Sequence, residues 1–310
     1  MESADGQIRG TVFDIKRFAL HDGPGIRVTL HLKGCPLSCL WCHNPEGRAP
    51  GPQLLLRPDC CIACRLCLDV CTHHAISGKN SIYTDMQRCT GCGACAAVCP
   101  ANAREICGAE MSAHDAVKAV LADEAFFYSD DPAQRGGVTL SGGEPLEQPE
   151  FCMALLRLLG QYHIHRALDT SGYVPEPLIC AAAEYCDLFL YDLKFMDTEQ
   201  HRKYIGFGNE QILSNLKKLS ELGSSIQIRV PFIPGLNDDD ENIGAAAEFT
   251  ACLNGISGVN ILPYHKASMD KYRRWGWEYL LKDIREPAEA ELRHAAELFE
   301  QKGISVQIGG

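Results

Sequence analysis

Three short runs hold eleven of the seventeen cysteines in this 310-residue chain: "CPLSCLWC" at 35–42, "CIACRLCLDVC" at 61–71 and "CTGCGACAAVC" at 89–99. Thiols two or three residues apart cannot easily reach the geometry a disulfide needs, but they converge well on a polynuclear metal centre. Ligation is therefore the stronger reading. The rest of the chain must supply a fold around these clusters. With 46% hydrophobic and 22% charged residues it has an ordinary globular composition, long enough for one large domain and one small one. A net charge of −11 argues against a nucleic-acid partner, which asks for a basic surface. The opening "MESADGQIRG" lacks the apolar core of a leader, and no stretch approaches the length of a membrane span. The expectation is a cytoplasmic protein with no membrane partner.

The spacing Cys-x2-Cys-x2-Cys-x3-Cys occurs twice, at Cys61, Cys64, Cys67, Cys71 and at Cys89, Cys92, Cys95, Cys99, with Pro100 closing the second copy. The arms start 28 residues apart, and each is too small to form a core alone. They resemble the bacterial two-cluster ferredoxins, in which the fourth cysteine of each run ligates the other cluster. The resemblance implies one 4Fe–4S cube on Cys61, Cys64, Cys67 and Cys99, and a second on Cys89, Cys92, Cys95 and Cys71. Gly91 and Gly93 let the backbone wrap close to sulfur. A pair of zinc ribbons is the competing reading. Cys60 fits neither run, and Thr72 stands where the first run would carry a proline. Cys107, Cys152, Cys180, Cys186 and Cys252 are isolated and read as small core hydrophobes.

Outside this segment, helical and β-branched stretches alternate. "IRVTLHLKG" reads as a first strand, and the proline-rich "RAPGPQLLLRPDC" marks a boundary near residue 51. From about Met111 come strands at "GGVTLSGGEP", "HRALDTSG", "DLFLYDLK", "SIQIRVPFIPG" and "VNILPYH", separated by helices. Six such units predict an α/β fold with a parallel sheet, a partial (β/α)6 barrel or an open sheet, with functional groups at the C-terminal strand ends. Residues 1–51 and 109–310 then form the barrel, and 52–108 are an inserted ferredoxin-like domain.

Cys35, Cys39 and Cys42 follow the first strand directly. Three thiolates satisfy three irons of a cube and leave the fourth open to chelate a ligand. A zinc site with His43 as fourth ligand is the alternative. The spacing Cys-x3-Cys-x-aromatic-Cys, with Trp41 before the last cysteine, resembles the radical S-adenosylmethionine (SAM) enzymes. "SGGEP" at 141–145 stands where that family keeps its SAM-amino-group motif. "HDGPGIR", "KGCPLSCLWCHNPE", "LDTSGY", "LYDLK" and "LPYH" narrow the resemblance to the glycyl-radical-enzyme activating enzymes, the pyruvate formate-lyase activase subfamily, some members of which carry such an insert.

That resemblance implies reductive cleavage of SAM to methionine and a 5′-deoxyadenosyl radical, which takes hydrogen from a glycine Cα of a partner glycyl radical enzyme. It implies three 4Fe–4S clusters, one on Cys35, Cys39 and Cys42 and two in the insert. It places Gly142, Gly143 and Glu144 along the SAM amino group. Asp169, Thr170 and Asp192 lie around its ribose and carboxylate with a monovalent cation, Lys194 sits against the carboxylate, and Arg229 and His265 line the pocket. Asp22, with Gly23 and Gly25, is where the partner's glycine loop docks. A reductant such as flavodoxin or ferredoxin supplies electrons. Two other readings are a pure electron carrier and a radical SAM enzyme that modifies another protein or peptide. The latter usually carry their extra cysteines after the barrel, and here nothing clusters after Cys99.

Overall fold

The computed structural model describes residues 4–131 and 134–309. Its strands are β1 (Arg9–Ala19), β2 (Arg27–Leu32), β3 (Gln53–Leu56), β4 (Ile76–Ser77), β5 (Tyr83–Thr84), β6 (Arg104–Cys107) and β7 (Ala109–Ser112). They continue with β8 (Gly137–Gly142), β9 (His165–Thr170), β10 (Leu188–Asp192), β11 (Ile226–Phe232), β12 (Ile256–Pro263) and β13 (Val306–Ile308). Among the described residues nine of these form one sheet, ordered β13-β12-β11-β10-β9-β8-β2-β1-β7. The seven strands from β2 to β13 in that order run parallel. Six of them, β2 and β8 to β12, are the strands predicted from the sequence, and β13 adds a seventh. Val138, Leu140, Leu168, Phe189 and Ile228 are fully buried, as parallel strands covered on both faces require. The helix Pro149–Gln161 shows how the cover forms: Pro149 opens its first turn, and Phe151, Cys152, Leu155, Leu156 and Leu159 turn one stripe into the core.

Three elements escape the sequence reading. β1 is eleven residues long and antiparallel to both β2 and β7. Register shifts near Asp14 and after Lys16 break its alternation, so no clean period of two survives in "RGTVFDIKRFA". Helices Thr198–Ile205 and Met269–Trp275 lie between strands in stretches rich in charge. No helix among the described residues is long and apolar enough to cross a membrane.

The cysteine-rich segment stands apart from the large sheet. β3 and β6 pair antiparallel, Gln53 opposite Cys107 and Leu56 opposite Arg104, and β4 pairs with β5. Two four-residue helices, Leu66–Asp69 and Ala94–Ala97, repeat the same geometry. In the second copy Gly91 and Gly93 take φ 69° and 83°; in the first, Ala63 and Arg65 take φ 53° and 67°. Cys252 is exposed, and Cys180 and Cys186 are half-buried, so of the five isolated cysteines only Cys107 and Cys152 sit fully in the core.

Candidate functional site

β2 ends at Leu32, and the chain passes through fully buried Lys33 and Gly34 to Cys35. The loop that follows is laced to its surroundings by backbone bonds. Gly34 N–H donates to Gly47 O at 2.7 Å, Cys35 N–H to Arg48 O at 3.1 Å, and Ser38 N–H to Ile205 O at 2.8 Å. Leu37 and Trp41 anchor it in an apolar cluster with Phe195, Ile205, Ile233 and Tyr272, with Cys35 and Cys39 packed against it. The Trp41 ring lies 5.9 Å from that of Phe195. Burial raises the pKa of all three thiols, Cys39 to about 11, where Lys194 pulls the other way. Buried thiols of this kind become thiolates when a cationic centre compensates them, which is what an iron–sulfur cube provides. Among the described residues no three Cys, His, Asp or Glu side chains converge on a single metal ion. Three thiols on one short loop are the donor set that a cube with one open iron takes.

A polar row crosses four neighbouring strand ends. Ser141 Oγ donates to Asp169 Oδ2 at 2.6 Å. Arg229 Nη1 lies 3.3 Å from Asp169 Oδ1, and Lys194 Nζ donates to Asp192 Oδ2 at 2.8 Å. Burial, with Asp192 nearby, raises the Asp169 carboxyl pKa, while Arg229 opposes the rise. Burial works against the Lys194 ammonium, but Asp192 and Cys39 outweigh it, so the lysine stays charged. Arg229 Nη1 is buried, and its contact with Asp169 is an ion pair without hydrogen-bond geometry. Asn237, which the sequence did not single out, is fully buried and donates to the Lys194 carbonyl at 2.9 Å.

Thr170 and Glu144 face the other way. Successive residues of a strand point to opposite faces, so Asp169 and Thr170 cannot share one. Thr170 Oγ1 donates to Glu144 at 2.8 Å, and Ser171 donates to Glu144 Oε2 through both N–H, at 2.8 Å, and Oγ, at 2.7 Å. With Leu146 N–H at 3.4 Å as well, the Glu144 carboxylate is fully engaged, holding the "DTSG" turn to the "GGEP" turn. The paired glycines likewise serve packing: a Cβ on Gly142 would meet Leu32 O at 2.3 Å, and one on Gly143 would meet Gly34 O at 2.1 Å. Only glycine lets β8 approach the cysteine loop so closely.

His265 is exposed and accepts from Ala267 N–H through Nδ1 at 3.3 Å, and its ring lies 4.3 Å from that of His43. Burial first, then His265, lowers the His43 pKa to about 4, keeping it neutral. Asp22 Oδ2 accepts from Thr29 Oγ1 at 2.7 Å, and the Asp22 carboxyl stays low through that bond and Lys16 despite its burial. Gly23 and Gly25 carry φ 119° and 64° around it.

In the insert, the two cysteine runs line two cavities. The first is lined by Cys89, Cys92 and Cys95 of the second run with Cys71 of the first. The second is lined by Cys61, Cys64 and Cys67 with Cys99. Each fourth cysteine accepts an N–H from four residues on, Ala75 to Cys71 Sγ at 3.4 Å and Ala103 to Cys99 Sγ at 3.3 Å, so the copies are related as a crossed pair.

Residues 87–245 match the radical SAM superfamily, and residues 60–103 match a 4Fe–4S dicluster domain. The trans-4-hydroxy-L-proline dehydratase activating enzyme of Clostridioides difficile is 41% identical over 96% of this chain and 99% of its own. The chain belongs to the radical SAM glycyl-radical-enzyme activating enzymes. As one of these activating enzymes it uses SAM and iron–sulfur clusters to activate a glycyl radical enzyme. The isethionate sulfite-lyase activating enzyme of Nitratidesulfovibrio vulgaris is 38% identical over 87% of this chain and 88% of its own. The crystal structure of Streptococcus suis SuiB bound to precursor peptide SuiA matches 95% of this activating enzyme and 49% of its own chain at a TM-score of 0.52, and at 13% identity it speaks to the fold alone.

Proposed function

We propose that Cys35, Cys39 and Cys42 hold the cube at which SAM is cleaved, and that two more cubes fill the insert, three in all. When bound, the first cube supplies the electron that splits SAM into methionine and a 5′-deoxyadenosyl radical, which removes hydrogen from a glycine Cα of the partner. The observation that carries this reading is the meeting of three buried thiols with the Lys194–Asp192 pair at the C-terminal strand ends. Lys194 holds a positive charge where the SAM carboxylate is to lie. Arg229 and Asp169, paired with each other, line the adjoining wall. Gly142, Gly143, Glu144 and Thr170 act one step back, fixing the turns whose backbone faces the ligand. A monovalent cation between Asp169 and Asp192 would relieve their repulsion. Trp41 seals the loop from water, and His265 stands at the rim.

Asp22, just before the Gly23–Pro24–Gly25 turn and held by Thr29, is the residue this reading gives to the partner's glycine loop. Changing Asp22→Ala is expected to weaken partner activation while sparing uncoupled SAM cleavage; equal loss of both removes the docking role. The whole reading is tested by anaerobic reconstitution to about twelve irons per chain, four per cube, followed by SAM, a flavodoxin or ferredoxin reductant and a partner. A hydroxyproline dehydratase is the first partner to try, since the 41% identical relative is named for one. A glycyl radical seen by electron paramagnetic resonance (EPR) supports the reading. Formation of 5′-deoxyadenosine with no radical on any candidate partner counts against it.

A further inference from the structure

The two cavities of the insert are not equivalent in their distance from the SAM loop. The pair β3–β6 runs between them like a ruler. At one end Gln53 and Cys107 touch the large domain: Gln53 Oε1 accepts from Lys33 Nζ at 3.1 Å, and Cys107 packs on Trp275. The next pair, Leu54 and Ile106, lines the cavity of Cys89, Cys92, Cys95 and Cys71. Two residues further, about 7 Å along a strand, Arg104 lines the cavity of Cys61, Cys64, Cys67 and Cys99. The nearer cavity is also joined to Cys35 by an unbroken set of contacts. Gly91 lies so close to Pro52 that a Cβ would meet its carbonyl at 2.5 Å. Pro52 leads to Gln53, Gln53 bonds Lys33, and Lys33 is two residues from Cys35.

Both cavities reach the surface, the nearer at exposed Cys92 and the farther at exposed Cys61 and Cys64, and over the farther stand Ile62 and Leu66, 65% and 46% exposed. Arg65 lies between them at φ 67°, where the other copy has Gly93 at φ 83°. An arginine held in the left-handed region is strained relative to an ordinary conformation, and this one is exposed and pairs with no carboxylate among the described residues. Residues 52–108 carry five basic against four acidic side chains, net +1, while the remainder of the chain carries −12. An acidic protein is repelled less by the insert than by the body.

We propose that the cube of Cys61, Cys64, Cys67 and Cys99 is the point of electron uptake, docking an acidic flavodoxin-type carrier on Ile62, Arg65 and Leu66. The cube of Cys89, Cys92, Cys95 and Cys71 passes the electron on to the SAM loop. One electron leaves the reduced carrier, and each cube in turn gains and loses it, with no bond made and no proton moved. The proposal rests on the three-cube reading above, so clusters are counted first by Mössbauer spectroscopy in every holoenzyme. Fewer than three cubes in the parent protein defeats that underlying reading, not the order of transfer.

The test mixes holoenzyme with acidic flavodoxin hydroquinone, or with dithionite, and follows each cube by freeze-quench EPR. Arg65→Glu and Ile62→Asp remove no ligating sulfur. They are expected to slow reduction by flavodoxin about tenfold or more, the scale of association-rate changes, and to leave dithionite reduction unchanged. In Cys89→Ala/Cys92→Ala, the flavodoxin is expected to reduce the outer cube while the SAM cube stays oxidised. Reduction of the SAM cube by flavodoxin at the parent rate in the surface variants overturns the docking face. The same rate in a double-cysteine variant that keeps its other two cubes overturns the order. Should that variant lose both insert cubes, parent-rate reduction of its SAM cube likewise overturns the relay, and loss of reduction by flavodoxin alone supports it.

Discussion

Glu144 illustrates how a motif residue is put to work. Its carboxylate is fully buried and accepts from Thr170, both donors of Ser171, and Leu146 N–H. Glu144→Gln would turn an amide N–H₂ toward donors that need an acceptor, leaving buried groups unsatisfied. The expected loss is about 2–4 kcal/mol of folding stability, read from urea denaturation of the metal-free protein. Ala63 makes the opposite case. It holds φ 53° where the second copy has Gly91 at 69°. Ala63→Gly is expected to stabilise the insert by up to about 1 kcal/mol, measured as slower amide exchange over residues 61–71. Lys194 is the residue that the proposed reading sets against the SAM carboxylate. Lys194→Met removes the charge paired with Asp192, and SAM binding measured by equilibrium dialysis is expected to weaken at least about tenfold, the scale of one lost charge-assisted bond. The cysteine positions and the strand-end aspartates stand out in the sequence because spacing is local. That Thr170 and Glu144 turn away from Asp169 is a matter of strand alternation, which begins only once the register of β9 is set.

At the scale of elements, the helix Met269–Trp275 is the joint of the molecule. Arg273 and Arg274 reach Asp59 and Glu105 of the insert, Lys271 reaches Asn44 and Glu46 beside the SAM loop, and Trp275 packs on Leu55 and Cys107. Buried Lys33 completes the seam, donating to Glu46 O at 2.6 Å and lying 5.8 Å from the Trp275 ring centre. Lys33→Met leaves the Glu46 carbonyl and Gln53 amide unmatched, which costs about 1–3 kcal/mol. Hydrogen exchange is expected to rise in β3 and β6 while β8 to β12 are unchanged; uniform exchange would mean the seam carries no stability. "KASMDKYRRWGWEY" shows no helical stripe, because its residues face two partners distant in sequence. Its aromatic density was the one available signal.

At the scale of the whole molecule, the N-terminal end of the barrel is closed by fully buried Arg27. It donates to Thr139 Oγ1 at 2.7 Å and Val138 O at 2.6 Å, with His165 Nδ1 at 3.2 Å. Burial, with Arg27 beside it, lowers the His165 pKa to about 4. Between that value and the unfolded value near 6.5 the unfolded chain binds more protons, so stability rises with pH and is lost as pH falls through this window. His165→Gln is expected to flatten the dependence of the urea midpoint between about pH 4 and 6.5; an unchanged slope would assign it to other groups.

The sequence by itself determined the family, the parallel α/β class and the two kinds of cysteine cluster, since each is written in short-range spacing or in one alternating period. Only the tertiary structure decided which insert cavity Pro52, Gln53 and Lys33 link to the Cys35 loop, that Asp169 and Thr170 make different contacts from β9, and how Lys33 and the helix after β12 join the two parts. Those relations depend on contacts between residues as far apart as Asn44 and Lys271. No local pattern encodes them, because burial and hydrogen bonding are satisfied by the assembled fold and not by any one segment.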